Sequence, residues 1–284
     1  MPELPEVEIL CRHLRPLLMG RSIRQVQVNR SKVLEPTSLW QFQKALQGAS
    51  FAELSRRGKY LLFELLLKNS TRSVTLLGHL GMTGRMFVAK KSAPLPKHAA
   101  VVMDLGRKHF IFEDSRYFGR MTLNTSALEN LGPEPLSEDF RPAAFAKALK
   151  RSRQAIKIKL LDQSLVAGVG NIYASEALFR AHISPRLAAN RLTSLQVKSL
   201  CRAIRDVLAA AIAGGSTVPL NFAGEKSGGL FYFGRAPNTP DFYEERMRVY
   251  GRAGKPCREC QHPIKRIVQA ARSTFYCPHC QISG

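Results

Sequence analysis

At 284 residues the chain can hold two or three domains with proper cores, and its 45% apolar composition agrees with a folded protein. Its 43 Lys and Arg against 21 Asp and Glu give a net charge of +22, a surface that attracts polyanions, nucleic acid first and an anionic membrane second. No apolar run approaches the ~18 residues of a membrane span, and Glu3, Glu6 and Glu8 among prolines are unlike a signal peptide, so an intracellular setting is expected.

The chain opens Met1-Pro2-Glu3-Leu4-Pro5-Glu6-Val7-Glu8. Removal of Met1, usual before a small second residue, leaves Pro2 as a free secondary amine. Such an amine attacks an aldehyde-level carbon to give an iminium of fixed positive charge, and its pKa near ~8, against ~10.4 for Lys, leaves more of it unprotonated at neutrality. The plain alternative is an ordinary chain start. Residues 5–19 then read as a helix, with Pro5 in the first turn, Val7, Leu10, Leu14 and Leu17 on one face, and Gly20 as the stop; Pro16 should kink or shorten its last turn.

From residue 22 to about 125 the texture is strand-like, in 23–28, 60–66, 74–77, 99–105 and 109–113, which predicts an antiparallel sandwich or barrel. Leu131-Gly132-Pro133-Glu134-Pro135 is a break. Helices follow over 142–150, 154–162, 171–181 and 194–213, the last opened by a Thr193/Gln196 capping box and stopped by Gly214-Gly215. Residues 216–247 have weak periodicity and read as a long loop. Cys11 and Cys201 fall in predicted helices and read as buried free thiols.

Cys257-x2-Cys260-x16-Cys277-x2-Cys280 closes the chain. Each Cys-x2-Cys pair lets two thiolates reach one tetrahedral ion, so four fill the sphere of a structural Zn2+ with no open position for water. A disulfide pair, or a mixed site using His262 or His279, are the alternatives. Strands over 264–268 and 274–276 would form a hairpin with Arg272 near its tip. The bases Lys255, Arg258, Lys265, Arg266 and Arg272 favour DNA or RNA as its partner.

With these residues in hand, the chain resembles the bacterial formamidopyrimidine-DNA glycosylases over nearly its full length. The anchors are residues 1–8, Arg57-Gly-Lys-Tyr60, Gly78-His-Leu-Gly-Met-Thr-Gly84, Asp114-Ser-Arg-Tyr-Phe-Gly119, Gly168-Val-Gly-Asn-Ile-Tyr-Ala174 and Arg272-Ser-Thr-Phe-Tyr-Cys277. The resemblance implies a multidomain α+β fold. It has an N-terminal β-sandwich with its helix (1–132), a helix–two-turn–helix domain (133–225), and the rest of a lesion-covering loop with a zinc hairpin (226–284). DNA would lie in the cleft between the halves. The implied enzyme is a bifunctional glycosylase and abasic-site lyase, a cytoplasmic monomer acting on damaged duplex DNA to remove oxidised purines such as 8-oxoguanine and formamidopyrimidines.

Pro2 would be the nucleophile, Glu3 the acid/base, Glu6 an orienting carboxylate, and Lys59 a grip on a phosphate beside the lesion. His79, Lys157, Asn171 and Arg272 would be further DNA contacts. Met82, Arg116 and Phe118 would fill the hole left by a flipped base. Read one at a time, Glu3 could equally be a helix-cap charge, Lys59 part of a solvated charge run, and Met82, Phe118 and His79 core residues. Gly168-Val-Gly170 is not a dinucleotide fingerprint, because Tyr173 stands where the third Gly belongs.

The chain departs from the family pattern at three places. Ala271 replaces a glycine before Arg272, and would be strained if that turn needs φ > 0. Tyr117 replaces a common basic residue. Val218-Pro-Leu-Asn-Phe222 replaces a basic-acidic pair before an aromatic, and the segment running on to Tyr250 is unusual in length, so base preference transfers least. Two other readings stand beside this one: an endonuclease VIII-like enzyme for oxidised pyrimidines, which Leu4 in place of Gly disfavours, and a non-catalytic zinc-containing DNA-binding protein.

Overall fold

The computed structural model describes residues 2–215 and 247–282. Expectations about 216–246, including the loop reading and the Val218–Phe222 departure, lie outside the described residues. Two compact units result. One contains Glu6–Glu129; the other contains Glu3–Pro5 with residues 130–215 and 247–282.

Helix α1 (Leu4–Leu18) buries Val7, Leu10, Cys11, Leu14 and Leu18 along one face, and Gly20 follows it at φ +72. Strand β1 (Gln25–Val28) leads through a 3-10 turn to α2 (Leu39–Leu46) and then to β2 (Ser50–Arg57) and β3 (Tyr60–Leu66). Next come β4 (Ser73–His79), β5 (Arg85–Lys90), β6 (Ala99–Asp104), β7 (Lys108–Glu113) and β8 (Arg120–Thr122). They form two antiparallel sheets of four, in the orders β1-β6-β7-β5 and β2-β3-β4-β8.

The sheets pack face to face. Phe51 and Phe63 from one and Phe110 from the other meet with ring centroids 5.5–6.0 Å apart; both Phe51 pairs are edge-on, the geometry that aromatic quadrupoles favour. Strand β6 is buried along nearly its whole length. Its second face joins Phe87 and Ile111 in a separate apolar cluster. The sandwich is as expected; β2, β5, β8 and α2 are additions to the sequence reading.

The second unit holds α3 (Pro142–Lys150), α4 (Ile156–Lys159), α5 (Asn171–Arg180) and α6 (Ser194–Gly215), then the hairpin β9 (Lys265–Gln269) and β10 (Arg272–Tyr276). Both bonds of the Thr193/Gln196 capping box form, at 2.9 and 3.2 Å. The helix expected over 154–162 is only a single turn, α4. Glu176 of α5 is buried, and its carboxylate accepts the backbone N–H groups of Arg248, Val249 and Tyr250 at 2.8–2.9 Å. This bond set fixes the start of the C-terminal module against α5. Among the described residues no helix is long and apolar enough to cross a membrane.

Gln269 and Arg272 pair across a two-residue turn whose residues Ala270 and Ala271 sit at φ +47 and +59. A tight hairpin turn of this kind wants φ > 0 at both positions. For a residue with a Cβ that conformation costs about 1–2 kcal/mol. Ala271→Gly is therefore expected to stabilise the second unit by about 1 kcal/mol, part of the relief being offset by glycine's chain entropy. Urea unfolding of the zinc-loaded protein checks this, and a lowered midpoint would contradict the strain.

Candidate functional site

In the first unit, Lys59 sits with Gly58 at the two-residue tip joining β2 and β3, and is buried. The register then sets Tyr60, His79 and Arg120 side by side on β3, β4 and β8. The Tyr60 and His79 rings lie 4.8 Å apart. His79 Nδ1 accepts the Gly81 N–H at 3.2 Å, so its proton is on Nε2. Burial, with the charges of Lys59 and Arg120 close by, pulls the imidazole down to about 4, and it is a neutral donor at physiological pH.

That shift carries a sign. The unfolded chain protonates this histidine as pH falls through about 6.5, while the folded one resists down to about 4. Its stabilising contribution is thus whole above 6.5 and is lost as pH falls toward 4. The loss amounts to roughly 2 kcal/mol at pH 5. His79→Gln should flatten the fall in urea midpoint between pH 7.5 and 5; an unchanged slope would refute the assignment.

Two loops of this unit carry the proposed insertion residues. Asp114, fully buried, accepts from the Thr83 hydroxyl at 2.6 Å, from the Arg116 N–H at 3.1 Å and from the Gly119 N–H at 2.8 Å. It nails the 114–119 loop to the 80–84 loop. Gly81, at φ +61, lets the two backbones meet: a Cβ there would lie 2.5 Å from the Gly119 nitrogen. Above this joint Met82 and Phe118 are 47% and 54% exposed, at loop tips and not in the core. Arg116 touches both, with Nη1 3.3 Å from Met82 Sδ and the guanidinium carbon 4.9 Å from the Phe118 ring centroid. Tyr117 takes φ +53, and its ring lies 5.3 Å from the Arg30 guanidinium carbon and 6.5 Å from the His98 ring.

In the second unit Glu3 is buried at the N-terminus of α5. Its carboxylate accepts the N–H groups of Gly170, Ile172 and Tyr173 at 2.8, 2.8 and 3.2 Å. These are orphan donors at the positive end of a helix. Glu3 is therefore a helix cap, but of α5 and not of its own helix. Gly170 makes room, since a Cβ there would lie 2.4 Å from Glu3 Cδ. The Gly-Val-Gly run thus shapes a seat for two residues, Gly168 for Leu4 and Gly170 for Glu3, a role the sequence reading missed.

Next to that seat, Asn171 takes a hydrogen bond from Lys157 Nζ at 2.6 Å and donates Nδ2 to the Ser273 carbonyl at 2.9 Å. Lys157 is fully buried behind Asn171; burial, opposed by Glu3 and reinforced by Arg272, pulls its ammonium down to about 8. Arg272 is exposed at the start of β10. Tyr250, also missed in the sequence, lies beside Asn171; burial pushes the phenol's pKa up, partly offset by the Asn171 side chain, which favours the phenolate. Its ring packs on Phe275 at 5.0 Å.

The four cysteines converge. One sulfur from each of Cys257, Cys260, Cys277 and Cys280 lies within 4.8 Å of the others. Cys257–Cys280 and Cys260–Cys277 are 3.9 and 3.4 Å apart, close to the ~3.8 Å between thiolates tetrahedrally bound to Zn2+ and far beyond a ~2.05 Å disulfide. Backbone N–H groups of Glu259 and Cys280 point at the Cys257 and Cys277 sulfurs, and Phe179, Val249 and Ile264 pack the buried side. Donor set, spacing and the N–H groups aimed at the sulfurs fit structural zinc. Cys11 and Cys201 are buried free thiols, with burial pushing them up to about 11 and 12.

These features define a class: a helix–two-turn–helix protein with an N-terminal β-sandwich and a four-cysteine zinc hairpin. Residues 1–121 match the formamidopyrimidine-DNA glycosylase N-terminal domain, 131–221 that enzyme's H2TH domain, and 254–282 a zinc finger found in FPG and IleRS. The formamidopyrimidine-DNA glycosylase of Desulfitobacterium hafniense is 40% identical over 99% of this chain and 100% of its own. That of Thermus thermophilus is 41% identical over the whole of both. A Lactococcus lactis Fpg complex with abasic-site DNA superposes with a TM-score of 0.85 at 33% identity, covering 99% of this chain and 100% of that one. MutM bound to DNA containing carbocyclic 8-oxo-G reaches 0.86 at 32% identity, with the same coverage of both chains. The chain belongs to the formamidopyrimidine-DNA glycosylase family.

Proposed function

We propose that this protein excises oxidised purines from duplex DNA in base-excision repair through a covalent bond from Pro2, and then cuts the strand. The observation that carries the reading is the Pro2-Glu3 pair: a carboxylate held by three backbone amides stands one peptide bond from the amine. The Pro2 nitrogen attacks sugar C1′ and the base departs with the electrons of the glycosidic bond, taking a proton from water. The proton lost by the Pro2 nitrogen passes through the Glu3 carboxylate to ring oxygen O4′, the C1′–O4′ bond breaks, and the nitrogen lone pair closes the iminium. The iminium acidifies C2′; loss of that proton expels the 3′ phosphate, and a second elimination expels the 5′ phosphate.

Lys59, Arg272 and neutral His79, through Nε2–H, hold phosphates, contacts that position without reading sequence. Lys157 acts through Asn171, whose amide it orients, and Tyr250 supports the same side chain. Phe118 wedges, Arg116 addresses the orphaned base, and flexible Met82 fills the void. Zinc shapes the hairpin and enters no bond-making step. The protein works as a cytoplasmic monomer.

Incubation with borohydride of duplexes bearing 8-oxoguanine, an oxidised pyrimidine or an abasic site tests the reading. Covalent trapping on 8-oxoguanine and the abasic site, weaker on the pyrimidine, is expected. No trapping on any of them refutes an enzyme, and preference for the pyrimidine favours the endonuclease VIII-like alternative.

A further inference from the structure

We propose that His262 and His279, together with the Cys260 thiolate, form a second site for a late first-row divalent cation, such as zinc, nickel or cobalt, on the outside of the four-cysteine module. The two histidines ride on the two knuckles, His262 two residues after Cys260 and His279 directly before Cys280. Their rings lie parallel, 6° between planes and 4.3 Å between centroids. Both are exposed, and a ring nitrogen of each lies within 4.8 Å of the other and of Cys260 Sγ.

A bound cation needs its N and S ligands roughly 3.3–3.8 Å apart, given metal distances of ~2.0–2.3 Å. Closing that gap would take rotation of the two solvent-facing imidazoles out of their parallel stack, so that their in-plane lone pairs converge beside Cys260 Sγ. His262 is also prepared as a ligand. Its Nδ1 lies 3.3 Å from the Cys260 carbonyl oxygen, which can only accept, so the proton sits on Nδ1 and Nε2 offers its lone pair. A backbone carbonyl fixing the tautomer of a metal-binding histidine is the usual outer-shell arrangement.

Four thiolates around one Zn2+ leave the sulfurs themselves with a local charge of −2, within a module whose Lys255, Arg258, Lys265 and Arg266 are basic. A thiolate already bound to one metal keeps lone pairs for another, and imidazole with sulfur suits zinc, cobalt and nickel. This is an additional ion beside a complete four-cysteine site, not a histidine substituted into that site.

The test is calorimetric titration of the full-length, zinc-loaded protein with nickel chloride, with zinc content measured before and after. One nickel per chain is expected at micromolar concentrations, with the zinc retained. The double variant His262→Gln/His279→Gln should keep its zinc and bind nickel roughly tenfold or more weakly. Absence of saturable binding, equal binding by the variant, or release of one zinc for each nickel taken up would each overturn the proposal.

Discussion

Borohydride trapping on an abasic-site duplex is expected to fall by roughly 10³-fold or more when the Pro2 nitrogen is blocked by a non-cleavable N-terminal extension. An acylated nitrogen has no lone pair to give C1′, and the other amine of similar basicity in the proposed site, Lys157 at about 8, is primary, buried and bonded to Asn171. Pro2→Gly, processed to a free terminus, separates two properties of the nucleophile. It keeps an α-amine of similar basicity, but one that forms an imine whose charge depends on protonation, where proline's iminium is charged permanently. It should trap less than the parent and more than the blocked chain, and elimination should slow more than trapping does. Affinity for a duplex with a reduced, unreactive abasic site should stay within about twofold in both variants, since phosphate contacts carry most of the binding. Equal trapping by the blocked chain would remove Pro2 from the mechanism. A large loss of affinity for the unreactive duplex would point instead to damage of the fold.

What the sequence made legible was local. Cys-x2-Cys spacing fixes a metal site because two thiolates three residues apart must turn toward one point. The Thr193/Gln196 box was readable for the same reason, as both its bonds span three residues. Strand β2 escaped notice because a bulge between Phe51 and Glu53 breaks its alternation. Helix α2 was overlooked although Ser38 and Gln41 form a full capping box; its eight residues are too few to set up a strong period. The site itself depended on distant partners. Glu3 meets its donors 167–170 residues away, and no periodicity encodes that. Ile156-Lys-Ile-Lys159 looks like one more solvated basic face until Asn171 is seen to cover Lys157. Family resemblance could name Glu3, Asn171 and Lys157, but the reason for Gly170 is steric and needed coordinates.

Removal of zinc should undo the C-terminal module while sparing the sandwich. Structural zinc contributes about 10–16 kcal/mol in isolated fingers. The buried cluster here is small: Phe179, Val249, Cys257, Ile264 and Cys277, two of which are metal ligands. With the ion stripped by a chelator, or in Cys277→Ser, hydrogen exchange should accelerate at Ile264, in β9 and β10, and at Val249 and Tyr250, whose N–H groups otherwise bond to Glu176. Amides of β3 and β7 should keep their protection, because their ladders and the Phe51–Phe63–Phe110 cluster need no metal. Asn171 would lose its bond to the Ser273 carbonyl, and Arg272 its fixed place beside it. Affinity for an unreactive abasic-site duplex should then drop by at least the share of one or two phosphate contacts, with a shallower salt dependence. Since the Pro2 amine is untouched, saturating DNA should restore part of the trapping. Retained protection in β9 and β10 after complete chelation would mean that hairpin packing alone holds the module, and that zinc is dispensable to it.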